Sequence, residues 1–278
     1  MKELYDQVSL NCSKLVTRSY STSFSLGIRF LDKKYHYAIY AIYGFVRAAD
    51  EIVDTFHDYP KAELLQRFKD DLYQALEDRI SANPLLNSFQ MAVHKYHIES
   101  ELIDTFFHSM EMDLQRQEYD LDKYREYIKG SAEVVGLMCL RVFCEGDHEQ
   151  YAQLKEPAMK LGSAFQKINF LRDIKSDYQT LGRSYFPEVD LDQFDVTCKE
   201  AIQKDIAKDF EAGYQGIKKL PKGARFGVYV AYVYYKSLLS KIGKTPPEII
   251  LTKRIRIPNP QKYLLFLRSY FQHTLNLI

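Results

Sequence analysis

Apolar residues recur along most of the chain three and four positions apart, the spacing that puts them on one face of an α-helix. The alternation of apolar and polar residues that is typical of β-strands is nearly absent, and so are hairpin dipeptides. The periodic segments predict helices over residues 4–18, 33–54, 60–79, 98–117, 121–144, 196–219, 225–242 and 261–275, with others beginning at 84 and 157. The pattern therefore predicts an all-α protein.

The helix of residue 157 is predicted to begin at Pro157, because the first helical position tolerates the missing amide hydrogen of proline. No linker of low complexity, no repeat of fixed period and no break in composition divides the 278 residues. A chain of this length is long enough to form one large domain. We therefore expect a single helical domain over residues 1–278.

The charge of the chain is nearly balanced, with 38 Lys and Arg against 37 Asp and Glu and a net charge of +1. This balance argues against a general nucleic-acid binder, which usually carries a marked basic excess. The N-terminal residues lack the apolar core of a signal peptide, and the longest apolar run, around 228–235, is far shorter than a bilayer span. The expected location is the cytoplasm, with peripheral attachment to the inner face of the membrane at most.

The segment 161–187 contains the most distinctive polar pattern in the chain. Asn169, Asp173 and Asp177 are spaced four residues apart, so a helix would stack their oxygen-bearing side chains on one face. Apolar residues lie between them, and carboxylates beside an apolar wall are costly unless a cation or water satisfies them. Arg183 and Tyr185 follow this helix. We interpret the segment as a metal-bearing helix with a basic flap after it.

A second acidic cluster ends the helix predicted over 33–54. Asp50 and Asp54 share one face of that helix, and Tyr43 and Arg47 extend the face toward the N-terminus. An isolated pair of acidic residues at this spacing is usually a solvated surface. Both acidic clusters of this chain are embedded in apolar sequence, which is not typical of an exposed face. Two clusters of this kind favour a functional site.

Paired acidic helix faces have the chemistry of a magnesium site. Magnesium binds hard oxygen ligands, keeps several waters and is usually shared between a few carboxylates and substrate phosphates. Two such faces opposite one another would hold Mg²⁺ with a diphosphate between them, and the metal would stabilise the diphosphate as a leaving group. Arg47, Arg172 and Arg183 are candidates for phosphate contacts, since guanidinium binds phosphate oxygens in bidentate fashion. A salt bridge to a neighbouring aspartate is the alternative for each, and for Arg172 beside Asp173 both interpretations stay open.

Three groups of residues together resemble the motifs of the squalene/phytoene synthase family, the head-to-head prenyl synthases. The most specific group comprises Gly162, Gln166, Asn169, Arg172, Asp173, Asp177, Arg183, Tyr185 and Pro187. The other two comprise Tyr127, Gly130, Ser131, Ala132, Val135 and Gly136, and then Ser23, Phe24, Tyr43, Arg47 and the DEIVD run at 50–54. The resemblance spans roughly residues 15 to 257, and Tyr20 stands where many family members have His.

The resemblance implies an all-α isoprenoid synthase fold, with two aspartate-rich motifs at the mouth of one central apolar cavity. It implies Mg²⁺, or Mn²⁺ in its place, bound by Asp50, Asp54, Asp173 and Asp177 with Asn169 beside them. Tyr43 and Arg47 join the four aspartates in the catalytic set. The implied diphosphate contacts are Arg47, Arg183, Tyr185, Tyr235 and Arg254. The implied pocket lining is Ser23, Phe24, Tyr43, Tyr127, Ala132, Val135, Leu161, Phe165 and Gln166. Taken singly, each aromatic residue is more simply explained as part of the core.

The implied reaction joins two prenyl diphosphates through a cyclopropylcarbinyl diphosphate. Three products compete: phytoene from two geranylgeranyl (C20) diphosphates, dehydrosqualene from two farnesyl (C15) diphosphates, and squalene from the same C15 substrate with a hydride from NADPH. The chain ends in soluble-looking sequence without the membrane anchor of eukaryotic squalene synthases, and its GSAEVVG and NFLRDIKSD runs resemble bacterial phytoene synthases more. We therefore expect a phytoene synthase of carotenoid biosynthesis that needs no NADPH, and the C30 products are the alternative.

Other classes of function fit the sequence less well. A class I terpene cyclase or a head-to-tail elongase would share the metal chemistry, but the first motif is DEIVD rather than DDxxD, and the GRSYFP run has no place in either. A helical interaction protein would have no reason to keep two acidic faces. His94 and His97 are better explained as surface or core residues than as metal ligands. The apolar product favours transient membrane contact, to which the Lys-rich segment 199–222 would contribute, although a solvated face is the simpler explanation of that segment.

Overall fold

The computed structural model is helical in every regular element of the residues that it describes, which are 1–114, 119–179, 186–187 and 194–274, with the side chains of 176–179, 259 and 272–274 outside that description. The helices in chain order are α1 (Lys2–Tyr20), α2 (Thr22–Arg29), α3 (Lys33–Asp54), α4 (Lys61–Asp78), α5 (Pro84–Tyr96), α6 (Ser100–Asp113), α7 (Leu121–Ile128), α8 (Val134–Cys144), α9 (His148–Gln179), α10 (Val196–Lys219), α11 (Lys222–Gly243), α12 (Pro247–Ile250) and α13 (Asn259–Thr274). The prediction of an all-α chain is confirmed. Within the described ranges, no helix is both long and apolar enough to cross a membrane.

Two short elements near the site were not predicted from the hydrophobic pattern. Helix α2 spans only eight residues and is capped by Ser21, the residue before it, whose side chain accepts a hydrogen bond from the amide of Phe24. The segment predicted as one helix over 121–144 contains a π-helical turn, Lys129–Glu133, between α7 and α8. A π turn inserts one extra residue into a helix, and such turns are frequent at functional sites.

Helix α9 corrects the prediction made for Pro157. The helix begins at His148 and continues through Pro157 without a break, so the expectation that this proline starts it was wrong. A proline inside a helix removes one backbone hydrogen bond and usually kinks the helix. The Pro157 ring packs on α10 at Gly216, where an added Cβ would lie 2.4 Å from the Pro157 Cβ. Packing of α9 on α10 therefore stabilises a helix that the local sequence disfavours.

The apolar core is centred on Phe45 of α3, whose side chain is completely buried. Its ring stacks on Phe89 of α5 with centroids 4.0 Å apart and contacts Phe68, Phe106 and Phe107 from α4 and α6. Aromatic pairs of this kind stabilise a core beyond the area that they bury. Helix α3 is therefore anchored on one side, which leaves another of its sides for the cavity described below.

Helix α1 packs on the rest of the protein through hydroxyl groups. Ser9, Ser13 and Thr17 form its buried stripe. The Ser13 hydroxyl lies 2.6 Å from that of Ser88 on α5, and the Asn87 amide donates to Ser9 at 3.1 Å. The outer surface of the same helix exposes Leu4, Val8 and Leu15. Helix α1 thus reverses the usual placement of polar and apolar faces.

Candidate active site

One cavity of about 480 Å³ lies among helices α2, α3, α8, α9, α10 and α11. Its walls are charged at one end and apolar at the other. The lining includes residues from Ile39 to Asp50 along α3 and from Leu154 to Arg172 along α9. In both helices the charged lining residues lie at the C-terminal end of the lining segment. We call the end with Asp50 and Arg172 the mouth.

The opposite end of the cavity, which we call the floor, is lined by apolar side chains. The floor residues come from the far ends of the walls and are Leu31, Phe143, Leu154 and Leu220. Along α9, fifteen residues separate Asn169 at the mouth from Leu154. At a rise of about 1.5 Å per residue, the cavity wall is roughly 22 Å long between these two positions.

Most of the residues expected in the pocket line this cavity: Phe24, Tyr43, Arg47, Asp50, Ala132, Val135, Leu161, Phe165, Gln166, Asn169, Tyr235 and Arg254. Ser23, Asp54, Tyr127 and Asp173 are not part of the lining. Arg183 and Tyr185 lie outside the described residues, as does the side chain of Asp177, so their proposed contacts stay predictions. The structure thus brings residues from all three sequence motifs to one cavity.

Asp50 lies at the mouth in an environment that opposes its ionisation. Burial is the largest cause, and the negative charges of Asp54 and Asp113 add to it, while Arg47 acts in the opposite direction. Together they raise the pKa of Asp50 to about 7. Several carboxylates therefore share a poorly solvated region, where a bound cation would be strongly stabilised.

Arg47 is placed one turn before Asp50 on α3. Its guanidinium forms an ion pair with Glu51 and lies over the ring of Tyr20, 4.3 Å from the ring centroid. Its Nε is buried and has no hydrogen-bond partner among the described residues. A buried donor without a partner is costly, and Arg47 lines the cavity, so an anion bound at the mouth would satisfy it.

Asp173 is held by two arginines. The Arg172 Nη2 lies 2.6 Å from Asp173 Oδ2, and the Arg254 Nε lies 2.7 Å from Asp173 Oδ1. Of the two interpretations of Arg172, the structure therefore shows the salt bridge to Asp173. Arg254 comes from the segment between α12 and α13, so the ion pair connects the second acidic motif to the C-terminal part of the chain.

Four aromatic rings surround the cavity just inside the mouth. Tyr235 stacks on Phe165 with centroids 4.1 Å apart, and Phe24 contacts Tyr43, Phe165 and Tyr235 at 5.8 to 6.5 Å. The Tyr235 hydroxyl donates to Asn169 Oδ1 at 3.3 Å. Burial raises the pKa of Tyr43, and it raises that of Tyr235 to about 12. The rings therefore present neutral π-faces to whatever the cavity holds.

Asp113 was missed by the sequence analysis. It is buried at the end of α6, and the Tyr127 hydroxyl donates to its Oδ2 at 2.6 Å. Its charge contributes to the raised pKa of Asp50, which places it behind the mouth. Tyr127, expected as a pocket residue, instead contacts this carboxylate. A single aspartate at the end of a helix gave no periodic signal by which it could have been found.

Two glycines of the sequence motifs allow α9 and α6 to approach the π turn. An added Cβ on Gly162 would lie 2.8 Å from the carbonyl oxygen of Ala132, and one on Gly130 would lie 2.5 Å from the carbonyl oxygen of Thr105. Both distances are too short for a side chain. The glycines thus set the position of Ala132 in the cavity wall.

The residues at the mouth fit a divalent cation that is shared with a substrate. Among the described side chains, no three His, Cys, Asp or Glu converge closely enough to hold a metal ion by themselves. Asp50 and Asp54 nevertheless place two carboxylates on adjacent turns of α3. Mg²⁺ needs few protein ligands because waters and substrate phosphates complete its shell. The donor set therefore suits Mg²⁺, or Mn²⁺, together with a diphosphate.

A sequence model of squalene/phytoene synthases matches residues 17–261 of the chain. The chain belongs to the squalene/phytoene synthase family. Among its relatives, 4,4'-diapophytoene synthase of Staphylococcus haemolyticus is 26% identical over 200 residues, which cover 70% of this chain and 67% of that protein. Phytoene synthase 1 of Solanum lycopersicum is 26% identical over 268 residues, which cover 87% of this chain and 62% of that protein. The chain thus spans about two thirds of the length of these relatives.

The fold is that of the same family. A solved structure described as a dehydrosqualene synthase in complex with a ligand superimposes with a TM-score of 0.84 and 21% sequence identity, covering 97% of this chain and 98% of that one. The expectation of an isoprenoid synthase fold of the squalene synthase type is therefore confirmed.

Proposed function

We propose that this member of the squalene/phytoene synthase family is a phytoene synthase, which condenses two geranylgeranyl diphosphates head to head. Membership of the family makes the chain a prenyltransferase-type enzyme of isoprenoid biosynthesis that acts on prenyl diphosphates. The choice of the C20 substrate rests on one observation, the length of the cavity between its charged mouth and its apolar floor.

The length of the cavity favours four isoprene units over three. A C–C bond of about 1.5 Å advances an extended chain by about 1.25 Å, so the sixteen-carbon backbone of a geranylgeranyl group reaches about 19 Å and the twelve-carbon backbone of a farnesyl group about 14 Å. The wall between Asn169 and Leu154 is roughly 22 Å long. A geranylgeranyl chain would fill it, whereas a farnesyl chain would leave its last third empty, and empty apolar space is costly.

Arg47, Asn169 and Arg254 at the mouth would bind the diphosphates, and the buried Nε of Arg47 would gain its missing acceptor. Asp50, Asp54, Asp173 and Asp177, with Asn169, would hold Mg²⁺, which when bound supplies neutralisation of the diphosphate charge. Arg183 and Tyr185 are proposed as further diphosphate contacts. Among the described residues, the charged side chains that line the cavity all lie at its mouth: Arg47, Asp50, Arg172 and Arg254.

In the first half-reaction, the C–O bond of one substrate breaks and its electron pair leaves with the diphosphate. The 2,3 double bond of the second substrate attacks the allylic cation, and loss of one proton closes the cyclopropane ring. The rings of Phe24, Tyr43, Phe165 and Tyr235 would stabilise the cation through their π-faces, and the apolar walls would exclude water. Because Tyr43 and Tyr235 have raised pKa values and keep their protons, we assign the released diphosphate as the proton acceptor.

In the second half-reaction, the cyclopropylcarbinyl diphosphate ionises in the same site, rearranges to the 1-1′ linked skeleton and loses a second proton to give phytoene. This outcome consumes no hydride, so no NADPH is needed. The alternative is condensation of two farnesyl diphosphates to dehydrosqualene, or to squalene with NADPH. It is favoured by the similarity to a protein named diapophytoene synthase and to a structure described as a dehydrosqualene synthase.

The test is incubation of the purified protein with C15 and, separately, C20 diphosphate in the presence of Mg²⁺, with and without NADPH, followed by mass analysis of the products. We expect a C40 hydrocarbon from the C20 substrate without NADPH, and a much lower rate with the C15 substrate. Efficient formation of a C30 product, with no turnover of the C20 substrate, would replace the proposal by the alternative.

A further inference from the structure

Helix α13 lies on the outside of the cavity wall that α2 and α11 form. Its inner face packs on both helices: Phe266 stacks on Phe30, the residue after α2, with centroids 4.3 Å apart and also contacts Phe226 of α11. Ser269 on the same face is buried. Lys262 Nζ donates to the Thr22 hydroxyl at 2.8 Å, next to the mouth. The helix therefore runs along the cavity from the mouth toward the floor.

The outer face of α13 is apolar as well. Tyr263, Leu264, Leu267 and Phe271 are 64%, 67%, 50% and 63% exposed, and their spacing puts them on two neighbouring rows of the helix surface. A surface helix normally turns charged and polar residues outward. A contiguous group of large exposed apolar side chains in a soluble domain usually marks an interaction site. The outer face of α13 therefore needs an apolar partner.

The charge around α13 indicates what kind of partner this is. Residues 212–274 contain twelve Lys and Arg and a single acidic residue, Glu248, whereas the complete chain has a net charge of only +1. Lys253 and Arg256, just before α13, are exposed, and Arg268 lies on the outer face between Leu264 and Phe271. The apolar face is thus set in the most basic part of the protein.

We propose that the outer face of α13 docks on an anionic membrane surface. Leu264, Leu267 and Phe271 enter the boundary between headgroups and acyl chains, and the surrounding Lys and Arg side chains bind lipid phosphates. An apolar helix face with flanking basic residues is the combination that binds such surfaces. A second copy of the chain is a poorer partner, because a two-fold contact through this face would place two strongly basic regions opposite each other.

Docking in this orientation turns the α2–α11 wall of the cavity toward the bilayer. Prenyl diphosphates and the apolar hydrocarbons made from them partition into membranes, so the orientation shortens their path between bilayer and cavity. The docking itself depends only on α13 and its surroundings. It holds for a C20 or a C15 substrate alike.

The test is cosedimentation of the full chain with vesicles of phosphatidylcholine alone and of phosphatidylcholine mixed with phosphatidylglycerol. We expect binding to the mixed vesicles only, weakened by added salt. The triple variant Leu264→Ser/Leu267→Ser/Phe271→Ser should lower the partition coefficient at least about tenfold, which corresponds to about 1.4 kcal/mol. The matched control is Leu4→Ser/Val8→Ser/Leu15→Ser, which alters three exposed apolar residues of α1 and should bind like the parent protein.

A charge variant, Lys253→Gln/Arg256→Gln/Arg268→Gln, should lose most of the preference for phosphatidylglycerol. Circular dichroism and turnover in detergent should be the same for all variants and the parent, since none of the changed residues lines the cavity, and this separates the docking from the proposed reaction. Equal binding of the α13 and α1 triple variants would overturn the proposal. The proposal would also be overturned if the parent protein bound neither kind of vesicle. It would likewise be overturned if the parent protein formed a dimer that only the α13 variant disrupts.

Discussion

Ala158 offers a direct test of the cavity length on which the substrate assignment depends. It lines the cavity on α9, eleven residues before Asn169, and therefore lies roughly 16 Å below the mouth. A phenylalanine there would project a ring across the cavity. The ring would lie beyond the end of a farnesyl chain of about 14 Å but within the span of a geranylgeranyl chain of about 19 Å. Ala158→Phe should therefore exclude the fourth isoprene unit and little else.

The size of the effect follows from the apolar surface that the substrate can no longer bury. One isoprene unit has five carbons, and each buried carbon contributes about 0.8 kcal/mol, so its exclusion costs about 4 kcal/mol. At about 1.4 kcal/mol per factor of ten, kcat/KM for the C20 substrate should fall by roughly a thousandfold relative to that for the C15 substrate. Product analysis should show a shift from C40 toward C30 hydrocarbons.

The assay is competition between C15 and C20 diphosphates in one reaction, with the product ratio read by mass. Retained turnover of the C15 substrate shows that the variant is folded, and Phe143→Ala, which enlarges the floor instead, is the reciprocal control and should keep the C40 product. An unchanged C40 to C30 ratio in Ala158→Phe, with activity intact, would mean that the chain does not run along α9 toward Leu154. The length argument for the C20 substrate would then be refuted.

Three further predictions concern the mouth and the π turn. Asp50→Asn and Asp173→Asn should each abolish turnover, because each removes a proposed metal ligand. The far-ultraviolet circular dichroism of both variants should stay that of the parent protein. Near-normal turnover of either variant would contradict the site of two acidic clusters. Removal of divalent cations with EDTA should stop product formation and added Mg²⁺ should restore it, as measured by diphosphate release; activity that persists through chelation would contradict the metal assignment. Gly130→Ala should lower the free energy of unfolding in urea by about 2 kcal/mol or more, because its Cβ would lie 2.5 Å from a backbone oxygen. In the control Gly243→Ala, the new Cβ contacts only the flexible side chain of Gln203, so the free energy of unfolding should fall by less.

The long helices could be predicted from the sequence because each carries a sustained periodic pattern. Helices α3, α10 and α11 begin and end within three residues of the predicted positions. The errors lie where packing between helices outweighs local preference. Pro157 reads as a helix start, yet α9 passes through it because the ring fits against Gly216 of α10. Helix α2 is too short to show a period and depends on its cap at Ser21.

The site could be predicted in part for a similar reason. Spacing alone places Asp50 and Asp54, or Asn169 and Asp173, on one helix face, and the family resemblance places the two faces at one mouth. Contacts between distant elements have no such signature. The pair of Asp113 with Tyr127 and the ion pair of Arg254 with Asp173 join residues that are far apart in the chain or on different helices. The depth of the cavity likewise depends on how six helices meet.

The buried hydroxyl groups of α1, those of Ser9, Ser13 and Thr17, affect how the protein responds to heat. Exposure of apolar surface raises the heat capacity of unfolding and exposure of polar surface lowers it. Detachment of α1 exposes Ser9, Ser13 and Thr17, whose hydroxyl groups offset part of the heat capacity that the neighbouring apolar surface contributes. It should therefore occur with a small heat-capacity change and at a free energy below that of global unfolding, so that amides of α1 exchange hydrogen earlier than those of α3. Because α1 ends at Tyr20, whose ring covers the Arg47 guanidinium, such local opening would uncover one wall of the mouth while the aromatic core around Phe45 remains closed.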